Sequence, residues 1–303
     1  MLNIVDIVFL FLAIVVNCFY ILIDNYEAHM PVFFVKLFRY GSFAYRGSGA
    51  SYLQLIEIPK YHYKHFYKFA AFLACAVWSH MQHVRFVYTC LAYIYLCQYL
   101  FYTYYKIKSL SASVFFIAMS LMTLQCIRRC YESHYVQVFA NNSKINILQY
   151  PFGIIHYSGC VAAIVGEAPL FCGSQNRESL TLFNKSDLIK YVPCILLFLW
   201  AWNEQFQSNI ILANMRKDKK SGEVVTEDHG VPHGRLFEAV SSPHRFCEVL
   251  MYTVLLILIP TRTFFCIYLW VIGNQTASLA HNWYKKTFKN YPQNRMSIIP
   301  GFL

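Results

Sequence analysis

Charge is scarce in this 303-residue chain: Asp, Glu, Lys and Arg make up 14% of it, against 57% apolar and 18% aromatic residues. That balance is too apolar for an ordinary soluble globular domain, in which about a quarter of residues are charged. Acid is the scarcer sign, with 15 Asp and Glu against 26 Lys and Arg and a net charge of +11. The basic residues gather in short segments between apolar runs and in the tail, which favours membrane topology over a nucleic-acid face.

Other absences narrow the chemistry. There is no GxGxxG, no Walker loop and no GxSxG, so soluble-type dinucleotide and hydrolase folds lose their usual support. The eleven cysteines include no CxxC and only one close pair, Cys126 and Cys130, which implies neither a disulfide framework nor a metal site. No internal repeat or low-complexity tract is present. The first apolar run lacks a preceding basic residue, is interrupted by Asp6 and Asn17, and reaches Asp24 without a small-x-small site; it is read as a retained helix and not a cleavable signal. The sequons at Asn141, Asn184 and Asn274 are read as chance matches to a short motif.

What is present is a succession of apolar runs at residues 4–23, 67–80, 84–104, 109–126, 147–168, 188–213 and 247–280, the last broken at Pro260. A bilayer core of about 30 Å needs roughly 20 apolar residues per crossing helix. The expected fold is therefore all-α: a polytopic transmembrane bundle of six or seven helices, one integral membrane domain over residues 1–303. The bases Arg216, Lys217, Lys219 and Lys220, and Lys285, Lys286, Lys289 and Arg295 in the tail, belong on the cytosolic side by the positive-inside rule. The broken run between them is then a hairpin. Lys36, Arg39, Arg46, Lys60 and Lys64 place the loop after the first helix on the same side and leave the N-terminus lumenal.

Ionisable residues beside apolar helices are functional candidates, because a bilayer makes them costly. In LQLIEIPKYHYKHFY at 53–67, Glu57 stands between Ile56 and Ile58 and before the helix-breaking Pro59. It is either a buried acid or an interfacial carboxylate paired with Lys60 or Lys64. In SLMTLQCIRRCYESHYVQVF at 120–139, helical spacing puts Gln125, Arg128 and Glu132 on one face, as an active-site wall or as a helix-end ion pair with a glutamine bonding a neighbouring helix. The most polar region, residues 202–248, carries Gln205, Asn209 and Arg216 at i, i+4 and i+11, one face if the helix continues into the loop. Arg216 and its lysine neighbours suit a phosphate, and equally suit membrane anchoring.

FEAVSSPHRFCEVLMY at 237–252 and WYKKTFKNYPQNRMSIIPGFL at 283–303 resemble the C-terminal signature of the steroid 5-alpha-reductase family. LQCIRRCYESHYVQVFANNSKINILQYPFG at 124–153, IEIPKYHYKHFY and ILANMRKDKKSG at 211–222 follow in the same order and spacing, closest to the branch that acts on polyprenals. The resemblance covers most of the chain after about residue 55, and its signature-bearing region runs over about 120–303.

The resemblance implies an endoplasmic reticulum membrane enzyme with a cytosolic C-terminus, NADPH held among the C-terminal helices, and an apolar cleft for a long-chain isoprenoid substrate, polyprenal. It implies a role in dolichol synthesis, which supports protein N-glycosylation, with no obligate protein partner and no nucleic acid. By position it makes Gln205, Asn209, Arg216, His244, Glu248 and Tyr284 cofactor-binding residues and Glu57 and Gln125 catalytic ones. Two departures stand out: His244 replaces the usual asparagine, and Gln125 stands where steroid-reducing members carry a tyrosine, which argues against a steroid. An aldehyde fits the chemistry, because hydride added to C3 of an enal leaves charge on oxygen, where protonated Glu57 and the Gln125 amide can bond it. A membrane isoprenylcysteine-type methyltransferase and a non-enzymatic transporter are the alternatives.

Overall fold

The computed structural model describes residues 2–38, 55–82, 112–139, 143–166, 185–218, 221, 223–226, 229–273 and 277–299. The run 84–104 and the three sequons lie outside the described residues. The helices are α1 (Ile4–Tyr26), α2 (Val32–Phe38), α3 (Tyr63–Gln82), α4 (Ala112–Tyr131), α5 (Tyr150–Val165), α6 (Lys185–Asn214), α7 (Pro243–Leu258), α8 (Arg262–Gly273) and α9 (Ala277–Thr287). They form a helical bundle whose segments Ile4–Ile23, Ser113–Val136 and Ile147–Val165 are each long and apolar enough to cross a membrane.

Helix α1 starts where Asn3 closes a capping box: its Oδ1 accepts from the Asp6 N–H at 2.7 Å, and its own N–H donates to Asp6 Oδ2 at 3.1 Å. Ile4, Ile7, Phe11, Ile14 and Ile21 stay exposed, as lipid-facing residues do, while Phe9 is buried over Gly159 of α5, which has no room for a Cβ. The acid that interrupts this run is buried and tied to α8. Arg262 Nε donates to Asp6 Oδ2 at 2.9 Å, and the Thr263 hydroxyl donates to Oδ1 at 2.7 Å. The start of α1 and the start of α8 therefore lie together.

The expected break in the last run is observed between α7 and α8. Pro260 supplies no N–H to continue a helix, and Thr261 Oγ1 accepts from the Phe264 N–H at 3.2 Å to begin the next one. The two helices pack against each other across this break. The apolar core joins α1, α3, α4, α5, α6, α7 and α8 around Met122, Cys126, Ile164, Phe198, Met251 and Ile267.

One feature departs from an all-α expectation. The strands β1 (Glu57–Pro59) and β2 (Lys144–Asn146) pair antiparallel, with Glu57 opposite Asn146 and Ile58 opposite Ile145. The ladder continues as Lys60 N–H donates to Ser143 C=O at 2.8 Å. Pro59 forbids a helix through this segment, and an extended pair satisfies its backbone instead. The ribbon brings the segment before α3 beside the segment before α5.

Candidate active site

The helical spacing of Gln125, Arg128 and Glu132 produces a buried network between α4 and α6. Arg128 Nη2 donates to Gln125 Oε1 at 2.8 Å and also to Gln205 Oε1, while its Nη1 donates to the Trp202 carbonyl. Gln125 Nε2 donates to Gln205 Oε1 at 3.1 Å. Gln205 Nε2 in turn donates to the His244 carbonyl at 2.8 Å, at the first turn of α7. Thus two residues predicted for different roles, Gln125 and Gln205, belong to one hydrogen-bonded unit.

Glu132 anchors the other end of this unit. It is fully buried in a π-helical turn, Glu132–Val136, that extends α4; such turns re-aim side chains within a helix. Its Oε1 lies 3.4 Å from Arg128 Nε, and its Oε2 takes bonds from Arg129 and, at 3.1 Å, from Asn209 Nδ2. Arg129 also donates to Tyr67 Oη of α3 at 2.6 Å. Two guanidinium groups and an amide surround this carboxyl group, the kind of pairing that makes an ionisable residue tolerable at bilayer depth.

Arg216 does not continue the face of Gln205 and Asn209. Helix α6 ends at Asn214, and beyond it the Arg216 guanidinium donates to Val138 C=O at 2.8 Å and meets His229 Nε2 at 2.9 Å. Arg216 is nevertheless within electrostatic reach of Lys60 and Tyr284. Burial, then Arg216 and Arg245, lowers the Lys60 ammonium to about 8. Lys60, Arg216 and Arg245 thus make one basic region that gathers residues from the β1 end, the α6 end and the α7 start.

Glu57 lies apart from the buried network. Its Oε1 is 4.0 Å from Lys36 Nζ of α2, and a quarter of its side chain (25%) is exposed. The partner is thus Lys36 and not the Lys60 or Lys64 expected from sequence proximity. Alternation along β1 also turns Ile58 to the opposite face, so this isoleucine does not desolvate the carboxylate. Among the described residues no hydrogen bond or ion pair joins Glu57 to Gln125.

His244 and Glu248 lie one turn apart on α7. His244 Nδ1 is buried without a partner, and burial lowers the ring to about 3, so it stays neutral at neutral pH. Glu248 makes no hydrogen bond or ion pair among the described residues, though it acts electrostatically on Arg128, Arg129, Tyr67 and Tyr252. Tyr284 stacks on Tyr291 with ring centres 5.4 Å apart, and burial raises its phenol to about 12.

Several residues here escaped the reading of the sequence. Ser241 Oγ lies 2.5 Å from both His281 Nδ1 and Tyr291 Oη, and the Ser241 N–H donates to Met296 C=O at 2.8 Å. Arg295 is buried, donating to Pro232 C=O at 2.8 Å and to Glu238 Oε2 at 3.2 Å. These contacts stitch the 237–252 motif to the tail motif. Their quoted segments were visible, but pairing across α8 and α9 is a tertiary fact that spacing does not carry.

The comparisons with known proteins agree on one family. A family model described as 3-oxo-5-alpha-steroid 4-dehydrogenase matches residues 174–303. A polyprenal reductase of Drosophila melanogaster is 39% identical over 292 residues, 91% of this chain and 86% of that protein. Polyprenal reductases of Caenorhabditis elegans and Ailuropoda melanoleuca are each 28% identical, over 96% and 88% of this chain and 94% and 85% of those proteins.

Proposed function

Since the chain belongs to the polyprenal reductase family, we propose that it reduces the α,β double bond of polyprenal to give dolichal, with NADPH as the reductant. The observation that carries the reading is the likeness to polyprenal reductases along nearly the whole chain. Neither a methyltransferase nor a transporter finds support among these relatives. The setting is the endoplasmic reticulum membrane, with six or seven crossings and a cytosolic C-terminus. Burial of Asp6 against Arg262 supports that topology, because it puts the N-terminus and the Pro260 break on one side.

The chain's own residues fit a dinucleotide. Its phosphates need cations, and Lys60, Arg216 and Arg245 form a basic region beside Tyr284. Its polar head needs hydrogen-bonding partners, and the His244 Nδ1 and the Glu248 carboxylate have bonds to offer. Gln205 bonds the His244 carbonyl at the start of α7, and Asn209 bonds Glu132 in the turn that extends α4, so both tie α6 to its neighbours. When bound, NADPH supplies the hydride that adds to C3 of the enal.

Oxyanion stabilisation falls to Gln125 and Glu57. The Gln125 side-chain oxygen is held by Arg128 and one of its amide hydrogens by Gln205, which leaves the second amide hydrogen for the aldehyde oxygen. Glu57 must release Lys36 and take up a proton before it can donate to the aldehyde oxygen. Purified protein in detergent, given NADPH and polyprenal, is expected to oxidise the cofactor and form dolichal by mass. Absence of NADPH oxidation with polyprenal, or faster oxidation with polyprenol, overturns the reading.

A further inference from the structure

Reduction of an enal requires a proton at C2 as well as a hydride at C3, and none of the residues discussed so far supplies it. Below the cofactor motif, α7 continues the face of His244 and Glu248 to Tyr252, one further turn along the helix. Tyr252 is a buried phenol inside an apolar bundle, and its only close polar neighbours among the described residues are His156 and Cys160 of α5. Tyr252 Oη is 2.5 Å from His156 Nε2 and 3.8 Å from Cys160 Sγ.

This pair has an unspent hydrogen-bonding valence. With Nε2–H donating to Oη, the phenol proton faces only the distant thiol, and His156 Nδ1 is bare. With the phenol donating to Nε2, an Nδ1–H is buried with no acceptor. The pair is also joined to the buried network. The His156 ring packs edge-on against Tyr157, Tyr157 packs edge-on against Tyr67, and Tyr67 accepts from Arg129. Glu248, one turn before Tyr252 on the same helix, is within electrostatic reach of Tyr252, Tyr157 and Tyr67.

We propose that Tyr252 is the proton donor to C2 of the substrate and that His156 is the positioning residue that orients its hydroxyl. The inference rests on the reductase reading given above. Hydride addition at C3 moves the C2=C3 pair to C1–C2 and the carbonyl pair to oxygen. The Tyr252 Oη–H bond then breaks, its proton goes to C2, the C1–C2 pair forms the new C–H bond, and the C=O bond is restored. The Nε2–H of His156 stabilises the phenolate, which regains a proton from water after the product leaves. One polyprenal, one NADPH and one proton from solvent give dolichal and the oxidised cofactor.

The test compares purified wild type with Tyr252→Phe, His156→Gln and His156→Leu in H2O and D2O. Tyr252→Phe keeps the ring and removes only the oxygen, so NADPH affinity is expected within about twofold of wild type while kcat falls about 10²-fold or more. Wild type is expected to place deuterium on a single face of C2; Tyr252→Phe is expected to place it on both. His156→Gln, whose amide still donates, is expected to retain more turnover and more facial selectivity than His156→Leu. Wild-type kcat with single-face deuterium in Tyr252→Phe overturns the assignment, and so does parallel loss of NADPH binding, which makes Tyr252 structural. Wild type that oxidises no NADPH with polyprenal overturns the reductase reading as well, so the two failures are distinct.

Discussion

Arg128 donates through a single guanidinium nitrogen to the side-chain oxygens of both Gln125 and Gln205, and so ties α4 to α6 in the interior. Its ring neighbour is Trp202, whose carbonyl it also bonds and whose indole lies 4.9 Å from the guanidinium carbon. A residue that joins one glutamine read as catalytic to another read as cofactor-binding sets the distance between the two halves of the site.

Replacing Arg128 is therefore expected to damage stability first. Arg128→Met leaves Gln125, Gln205 and the Trp202 carbonyl short of a donor and is expected to cost about 3 kcal/mol. Arg128→Lys is expected to recover little, because an ammonium lacks the planar fork that serves three acceptors at once. Thermal unfolding of the purified protein measures both variants. An Arg128→Lys protein as stable as wild type would show that charge alone suffices.

The basic region predicts a pH dependence for cofactor binding. Lys60 is lowered to about 8, so it is charged below that pH and neutral above it. An anionic phosphate favours the charged form, so NADPH affinity is expected to fall as pH rises from about 7 to about 9. Lys60→Gln is expected to bind more weakly at pH 7 and to flatten the profile. Arg216→Ala is expected to weaken NADPH much more than NADH if it meets the extra phosphate. Titration of tryptophan fluorescence with each cofactor measures these affinities, and a flat wild-type profile or equal losses for both cofactors would remove these residues from that role.

The clamp between α1 and α8 predicts an asymmetry. Asp6 is fully buried, whereas just over half of the Arg262 side chain (55%) is exposed. Arg262→Ala leaves an anion without its charge partner inside the bundle and is expected to cost about 3 kcal/mol. Asp6→Asn keeps an acceptor for Thr263 and lets Arg262 turn to water, for about 1 kcal/mol. Unfolding midpoints that reverse this order would mean that the arginine is the desolvated partner.

The sequence made the local physics of the fold legible and left the long-range pairings hidden. The break at Pro260 follows from a missing N–H and is observed where it was expected, and three of the apolar runs, 4–23, 109–126 and 147–168, fall on helices long and apolar enough to cross a membrane. Gln125, Arg128 and Glu132 share a face because helical spacing alone decides it. Spacing could not place Gln205 against them, since that depends on how α6 packs. Nor could it tell that α6 ends at Asn214, so the condition for Arg216 to share that face, a helix continuing into the loop, is not met. The cation beside Glu57 was sought nearby in sequence and is instead Lys36, brought in by α2. Ser241, His281 and Tyr291 meet only because the tail returns to the start of α7.

Glu57 carries the sharpest test of the catalytic reading. Its positional match to the family's carbonyl-binding glutamate argues for a hydrogen bond to the aldehyde oxygen, while its 4.0 Å separation from Lys36 and its partial exposure describe an ion pair. The two roles predict different kinetics. If Glu57 donates to the developing oxyanion, Glu57→Ala is expected to lower kcat about 10²-fold or more with NADPH affinity nearly unchanged. Glu57→Gln is expected to retain part of the activity, because an amide also donates. Lys36→Met then becomes informative: removing the ion-pair partner frees the carboxyl group for the aldehyde oxygen, so turnover is expected to hold or rise. If the carboxylate only pairs with Lys36, Glu57→Ala and Lys36→Met are expected to cost at most about 1 kcal/mol of stability each and to leave kcat near wild type. Steady-state turnover of polyprenal by the three variants between about pH 6 and about pH 9 separates these outcomes, and wild-type kcat in Glu57→Ala would remove the residue from the chemistry.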